Sequence, residues 1–446
     1  MWTVAQLGAD LAAGRTSSRE IVEQALARIA ERDGEGARAF LQVNAEGARA
    51  EADFADRLRS RGVRRSPVDG LPVSLKDLFD VAGEVTRAGS KIMGNTVKKA
   101  DAAAVARLRA AGAVFIGRTN MVEFAFGGVG LNPHYGTPKN PWDRNTGRVP
   151  GGSSSGAAVA QAGGMCVMAL GSDTGGSVRI PSALCGLAGF KPTARRVPLE
   201  GAFPLSFSLD SIGPLANSVG CCAAYDAVLS GEPAAALAEL PVKGLRLLLP
   251  RSSMLEELDA PVERAFQAAL ARLGAAGASL EERPAPLFDR RGEYFRRGGF
   301  AAAEAYHVHR PHLARLGACD PRVSARILLG KDFPAADYVA LGEQRAAARR
   351  EFEALAAPFD AVVMPAVACV APGIAEAGAS DEDYARWNLR ILRNPAFINF
   401  VDGCAATLPC HEPGTAPVGF MVCAPAMSDR RILAVSAAIE RALSRD

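Results

Sequence analysis

Residues 171–186 read GSDTGGSVRIPSALCG, and an apolar run, Cys166–Leu170, leads directly into them. The run predicts a strand. The paired glycines behind it, Gly175 and Gly176, let the backbone turn tightly and approach another molecule closely. Ser177 follows at once, placed as a reactive serine often is, with nearby N–H groups left free. A serine hydroxyl is a poor nucleophile without a base. The usual base is histidine, and the five in this chain (His134, His307, His309, His312 and His411) all lie more than forty residues from Ser177 in sequence. What takes the proton of Ser177 is the question the sequence poses.

Working outward, strands alternate with helices. Ser17-Ser18-Arg19-Glu20 has capping-box spacing, and Ile21, Ala25 and Ile29 repeat at helical intervals behind it. The first sixty or so residues read as helices, the second covering about 45–60. A short strand, LPVSL, runs up to Lys76. A helix follows over 101–111 and a strand over 113–117, and then glycine and proline crowd the chain from Gly127 to Gly152. A helix is expected from Ser153, later strands at 245–249, 361–364 and 418–423, and later helices at 261–273, 341–355 and 430–443. This alternation indicates an α/β fold with a largely parallel or mixed sheet. The composition shift near 231–241 reads as a loop within one domain rather than a boundary.

The chain has 446 residues, 49% hydrophobic and 22% charged, enough for a large core. A net charge of +3 gives no footing for nucleic acid, and the basic run Arg57–Arg65 reads as a solvated face. Nine cysteines, an odd number with no CxxC pair, read as buried free thiols in a reducing compartment. The N-terminal stretch lacks the basic start and apolar core of a signal peptide, and no apolar run is long enough to cross a membrane. A cytoplasmic protein is the expectation.

Upstream of the opening stretch, VPGGSSSG (Val149–Gly156) also joins glycines to a helix start, where backbone N–H groups can hold an anion. No lysine follows it as a P-loop requires, and Gly128-Val129-Gly130 does not continue into a dinucleotide fingerprint. Three features point elsewhere: Lys76 at a strand end, the serine run Ser153–Ser155, and Ser177, 24 residues after Ser153. A buried lysine titrates toward neutrality and can act as a base, and a second serine can relay a proton to it. Each also has a plain reading: a surface lysine, serines that cap a helix, a polar loop. His307, His309 and His312 form HxHxxH, but Pro311 interrupts the helix there and no clear metal-ligand motif accompanies them, so no metal is expected. Their expected place is the surface or the substrate entrance. Cys185 reads as core. Asp173 and Arg179 flank Ser177 and are expected to form an ion pair that holds its loop.

GGSSSGAAVAQAGG, followed by ALGSDTGGSVRIPSALCGLAGFKPT, resembles the signature of the amidase signature family of serine hydrolases, which includes fatty acid amide hydrolase, malonamidase and the A-type component of glutamyl-tRNA amidotransferase. The resemblance extends to 71–80, to AGAVFIGRTNMVE and to LDSIGPLANS, and weakens beyond about 240. It implies an α/β/α fold, a large mixed sheet covered by helices on both faces. It implies one domain over 1–446, with an N-terminal helical segment (1–65), a signature core (66–220) and a variable substrate-binding half (221–446). It implies Ser177 as nucleophile, Ser153 as the bridging serine preceded by a cis peptide bond, and neutral Lys76 as base. That implication answers the opening question: the proton of Ser177 passes to Ser153 while Lys76 takes that of Ser153. Backbone N–H groups at Thr174, Gly175, Gly176 and Ser177 would form the oxyanion hole, and Phe126 and Gly127 would line the acyl pocket. No cofactor is implied. The partner is a small amide, with a homodimer possible by analogy. Ile180 stands where malonamidase-like members carry a carboxylate-binding arginine, which speaks against malonate-type recognition. The competing reading is the glutaminase component of a tRNA amidotransferase. The other is a non-enzymatic relative, which the intact Lys76, Ser153 and Ser177 oppose.

Overall fold

The computed structural model describes residues 2–233 and 235–444. Its frame is one sheet of 11 strands. In chain order these are β1 (Phe40–Val43), β2 (Pro72–Lys76), β3 (Val114–Thr119), β4 (Met168–Asp173), β5 (Ala188–Lys191) and β6 (Ser211–Ala216). They continue with β7 (Arg246–Arg251), β8 (Ser279–Pro284), β9 (Ala361–Pro365), β10 (Cys404–Pro409) and β11 (Gly419–Ala424). Across the sheet they run β1-β3-β2-β4-β6-β5-β10-β11-β9-β7-β8. The β3-β2-β4 and β9-β7-β8 blocks are parallel, and the strands between them pair antiparallel. The sheet is therefore mixed, as the sequence led one to expect.

Alternation along each strand sends side chains to opposite faces. Leu247 and Leu249 enter one core, with helices Val219–Ser230, Ala260–Ala275 and Asp429–Leu443, while Leu248 enters another on the far side. Helices Ala335–Ala356 and Asp381–Phe400 pack there. Ala169 and Leu215 meet the Ser18–Ile29, Ala45–Arg59 and Ser155–Ala162 helices in a third cluster. Helices cover both faces of an α/β fold.

The capping box at Ser17 and Glu20 forms. The N-terminal region is not helical throughout, however. Phe40–Val43 is an edge strand that pairs antiparallel with β3, because its residues fill the one open side of the parallel block. The helix expected from Ser153 begins at Ser155, and Ser153 is left in the turn before it. The nine cysteines are all free, and only Cys410 is not fully buried. Among the described residues no helix is long and apolar enough to cross a membrane.

Candidate active site

β2 and β4 lie side by side in parallel, with Leu75 level with Leu170, so the residues that end the two strands share one edge of the sheet. Lys76 ends β2, and Ser172 and Asp173 end β4. The turn before the Ser155–Ala162 helix is tied down beside them: the Val122 N–H donates to Ser153 O at 3.0 Å and the Gly152 N–H to Gly128 O at 2.7 Å. The Gly152–Ser153 peptide is cis. Lys76 Nζ reaches Ser153 Oγ at 2.7 Å and Ser172 Oγ at 2.8 Å. The sequence holds no sign of Ser172 beyond its place on the strand that leads to Ser177.

Lys76 is wholly buried. Burial brings its ammonium down from 10.5 to about 7, against the pull of the Asp173 and Asp210 charges, which favour the protonated form. An amine that touches only hydroxyls is equipped to exchange a proton near neutrality.

Asp173 organises the loop that carries Ser177. Its Oδ1 accepts from the Gly176 N–H at 2.8 Å, and its Oδ2 from the N–H groups of Val178 and Arg179 at 3.1 and 3.3 Å. Arg179 pairs with it at 2.9 Å, and both side chains are fully buried, which is the ion pair expected from the sequence. Asn399 Nδ2 donates to the same carboxylate at 2.9 Å. Burial opposes this charge, yet Arg179, Lys191 and Asn399 together hold the Asp173 carboxyl well below the usual carboxylate range. Asp210 braces the loop from the other side, accepting from Thr174 Oγ1 at 2.5 Å, and burial pushes its carboxyl up to about 6.

One expected oxyanion donor is already committed. The Gly176 N–H points at Asp173, whereas the N–H groups of Gly175 and Ser177 have no acceptor among the described residues. Ser177 Oγ likewise makes no hydrogen bond there, so the contact between it and Ser153 is not closed. Contacts of this kind often tighten only when substrate fills the site. Gly176 has φ +125, and a Cβ there would lie 2.7 Å from Ile180 Cδ1 and Pro395 Cγ. Gly176→Ala is therefore expected to displace the flanking Gly175 and Ser177 N–H groups and to lower kcat by about 100-fold, the size of one misplaced oxyanion donor, with an unchanged circular dichroism spectrum. Wild-type kcat in this variant would show that the turn tolerates the methyl.

Ser177, Thr174, Gly175, Phe126 and Gly127 share a cavity of about 320 Å³. Of the HxHxxH residues, His307 is exposed as expected, His312 is half-buried, and only His309 is fully buried, its ring 6.1 Å from that of His312. His309 is buried against Phe124 and Phe203, and that burial, with His312 beside it, favours the neutral imidazole and holds it down at about 4. His307 sits against the Phe207 ring instead. Cys185 is buried in the core.

The Amidase family model matches residues 20–433. The chain is 38% identical over 403 residues to 2-amino-5-chloromuconic acid deaminase of Comamonas testosteroni, a match that covers 88% of this chain and 86% of that one. It is 33% identical over 481 residues to the A-type component of the glutamyl-tRNA(Gln) amidotransferase of Streptomyces coelicolor, across 99% of this chain and 95% of that protein. A solved amidase structure superposes with a TM-score of 0.89 at 32% identity, covering 99% of this chain and all of the other. With the sheet, the serine-rich turn and the family match in agreement over nearly its whole length, the chain belongs to the amidase signature family of amide-hydrolysing enzymes.

Proposed function

We propose that the chain hydrolyses the C–N bond of a small carboxylic amide through an acyl-enzyme on Ser177. The observation that carries this reading is the buried Lys76 amine, held between two serine hydroxyls and titrating near 7. Ser177 Oγ attacks the amide carbonyl and its proton passes to Ser153, whose own proton goes to neutral Lys76. The free N–H groups of Gly175 and Ser177, with Thr174 beside them, receive the oxyanion. Donors placed where charge develops contribute about 3 kcal/mol each. The proton then returns through Ser153 to the departing nitrogen, ammonia or an amine leaves, and water attacks the acyl carbonyl to restore Ser177. Phe126 and Gly127 form part of the acyl wall. These steps use only this chain's own groups and draw on no metal or organic cofactor. The Comamonas relative is named for a deamination, which agrees with ammonia as a product. We further propose one domain over 1–446, a homodimer, and a cytoplasmic setting in which nine unpaired thiols stay reduced.

The full-length similarity to the A-type component of an amidotransferase favours a second reading, glutaminase action in a complex. Ammonia release from glutamine, aliphatic and aryl amides, ureas and malonamide separates the two, with Ser177→Ala as blank. Release from several amides that vanishes in the blank is the expected result. Release from glutamine alone would favour the amidotransferase, and release that survives Ser177→Ala would sink the proposed nucleophile.

A further inference from the structure

The cavity beside Ser177 is mostly apolar, yet two arginines, Arg291 and Arg326, reach it, and no aspartate or glutamate lines it among the described residues. The two guanidiniums are held differently. Arg326 is engaged: its Nη1 donates to Phe126 O at 2.6 Å, and it lies over the Phe126 and Tyr384 rings. Arg291 opens the one-turn helix Arg291–Tyr294, and its guanidinium has no ion pair, hydrogen bond or ring contact among the described residues. Its neighbour Arg290, by contrast, pairs with Glu351. Burial disfavours the Arg291 charge, with no acidic group offsetting it. Arg393 adds a further positive charge nearby, and is bonded to Asn394 Oδ1 and to Met254 O, with Glu257 offsetting its charge in part. Asn388, also on the cavity wall, accepts the Gly128 N–H at its Oδ1 at 2.8 Å, and its Nδ2 has no partner among the described residues.

A desolvated cation without a counter-charge is costly unless a ligand supplies one. A guanidinium presents parallel N–H groups that match the two oxygens of a carboxylate. Leu389 and Leu392 offer apolar wall for a short methylene stem. We propose that Arg291 anchors a carboxylate of the substrate, so that the amide cleaved here carries a free carboxylate remote from its scissile C–N bond. This rests on the amidase reading above for the bond that is broken, and on the cavity alone for the anion.

The test has two arms on the full chain. In the first, succinamic, glutaramic and adipamic acids, and the neutral butanamide, pentanamide and hexanamide, are titrated calorimetrically into Ser177→Ala protein. At least one acid should bind about 30-fold more tightly than its neutral counterpart, the scale of a charge-assisted pair. Adding Arg291→Gln should erase that advantage without changing affinity for the neutral amides. Arg291→Lys, which keeps the charge but not the fork, should restore part of it. Because Arg291 braces nothing in the fold and its charge is desolvated, the melting temperature should not fall in either variant. Acids that bind no better than neutral amides, or an advantage that survives Arg291→Gln, would overturn the proposal. In the second arm, a fluorophosphonate is used to label Ser177 in wild-type protein. Labelling without acid preference would leave the amidase reading and remove the anion anchor. Arg291-dependent acid binding without labelling would do the reverse.

Discussion

Replacing Lys76 with methionine is expected to lower kcat/KM by about 10,000-fold, the upper range for loss of a general base, while making the protein more stable. Both effects come from the same burial. An amine that titrates at 10.5 when solvated and at about 7 in the fold penalises folding by about 4 kcal/mol at pH 7. Methionine removes that penalty and abandons two hydrogen bonds, to Ser153 and Ser172, at about 1 kcal/mol each. The net gain is about 2 kcal/mol, or about 2 °C in melting temperature for a chain of this length. The sign with pH follows. The lysine's folded value is depressed, so its penalty is complete below about 7 and fades as pH climbs toward 10.5. The variant's advantage should therefore shrink over that interval. In the wild type, kcat/KM should rise with pH up to an inflection near 7 and then level off, since only the neutral amine accepts a proton. A methionine variant that keeps this inflection would remove Lys76 from the role of base.

Arg179→Met is expected to destabilise the fold by about 4 kcal/mol, because removing one partner strands the other as an uncompensated buried charge. Arg179 commits its donors inside the protein, to Asp173, Pro395 O, Asn399 Oδ1 and Met421 Sδ. Asp173 in turn fixes Gly176 and Val178, so kcat should fall along with stability. The Asp173→Asn, Arg179→Met pair should recover part of the loss, since the stranded charge is gone. Urea unfolding across pH checks the sign. Asp173 is held below its ordinary 3.8, so its contribution is present above that value and lost as pH falls through the lower folded one. The gap between wild type and Arg179→Met should narrow in acid. A single variant within 0.5 kcal/mol of wild type at pH 7, about the ordinary surface effect, would mean that the pair does not hold the loop.

Lys76, Ser153 and Ser177 were singled out by the resemblance that the GGSSSG and DTGGS stretches carry, and the fold brings Lys76 Nζ within 2.7 Å of Ser153 Oγ. The Asp173–Arg179 pair was legible locally, its members being six residues apart. What sequence could not show lies far along the chain. Asn399 and Pro395 reach the loop across more than two hundred residues, and nothing local marks them. Ser172 is one more small residue in a buried strand until Lys76 is folded against it. Gly176 looked like a free donor because the acceptor that claims its N–H depends on how the turn closes. The strands β5 and β6 contain Gly189, Gly213 and Pro214, residues that argue against strand when read alone. Gly213 and Gly189 fit where a Cβ would lie 2.0 Å from Phe190 O and 2.3 Å from Ser182 Oγ, and Pro214 stands outside the β5–β6 register, which reaches only Leu215 and Ala216. Arg291 was one of many arginines, and its lack of a partner is a property of the folded cavity alone.

The order of strands also bears on how the protein is made. β10 and β11 emerge from the ribosome last, yet they lie between β5 and β9 in the middle of the sheet. Until they arrive, the growing chain consists of two half-sheets with exposed edges at β5 and β9, which are templates for wrong pairing. The Asp381–Phe400 helix that braces the Ser177 loop is synthesised just ahead of them. Closure of the sheet and bracing of the nucleophile loop therefore fall in the same short stretch of translation. A chain that stops short of this stretch leaves two sheet edges unpaired and the Ser177 loop without the Pro395 and Asn399 contacts that hold Arg179 and Asp173.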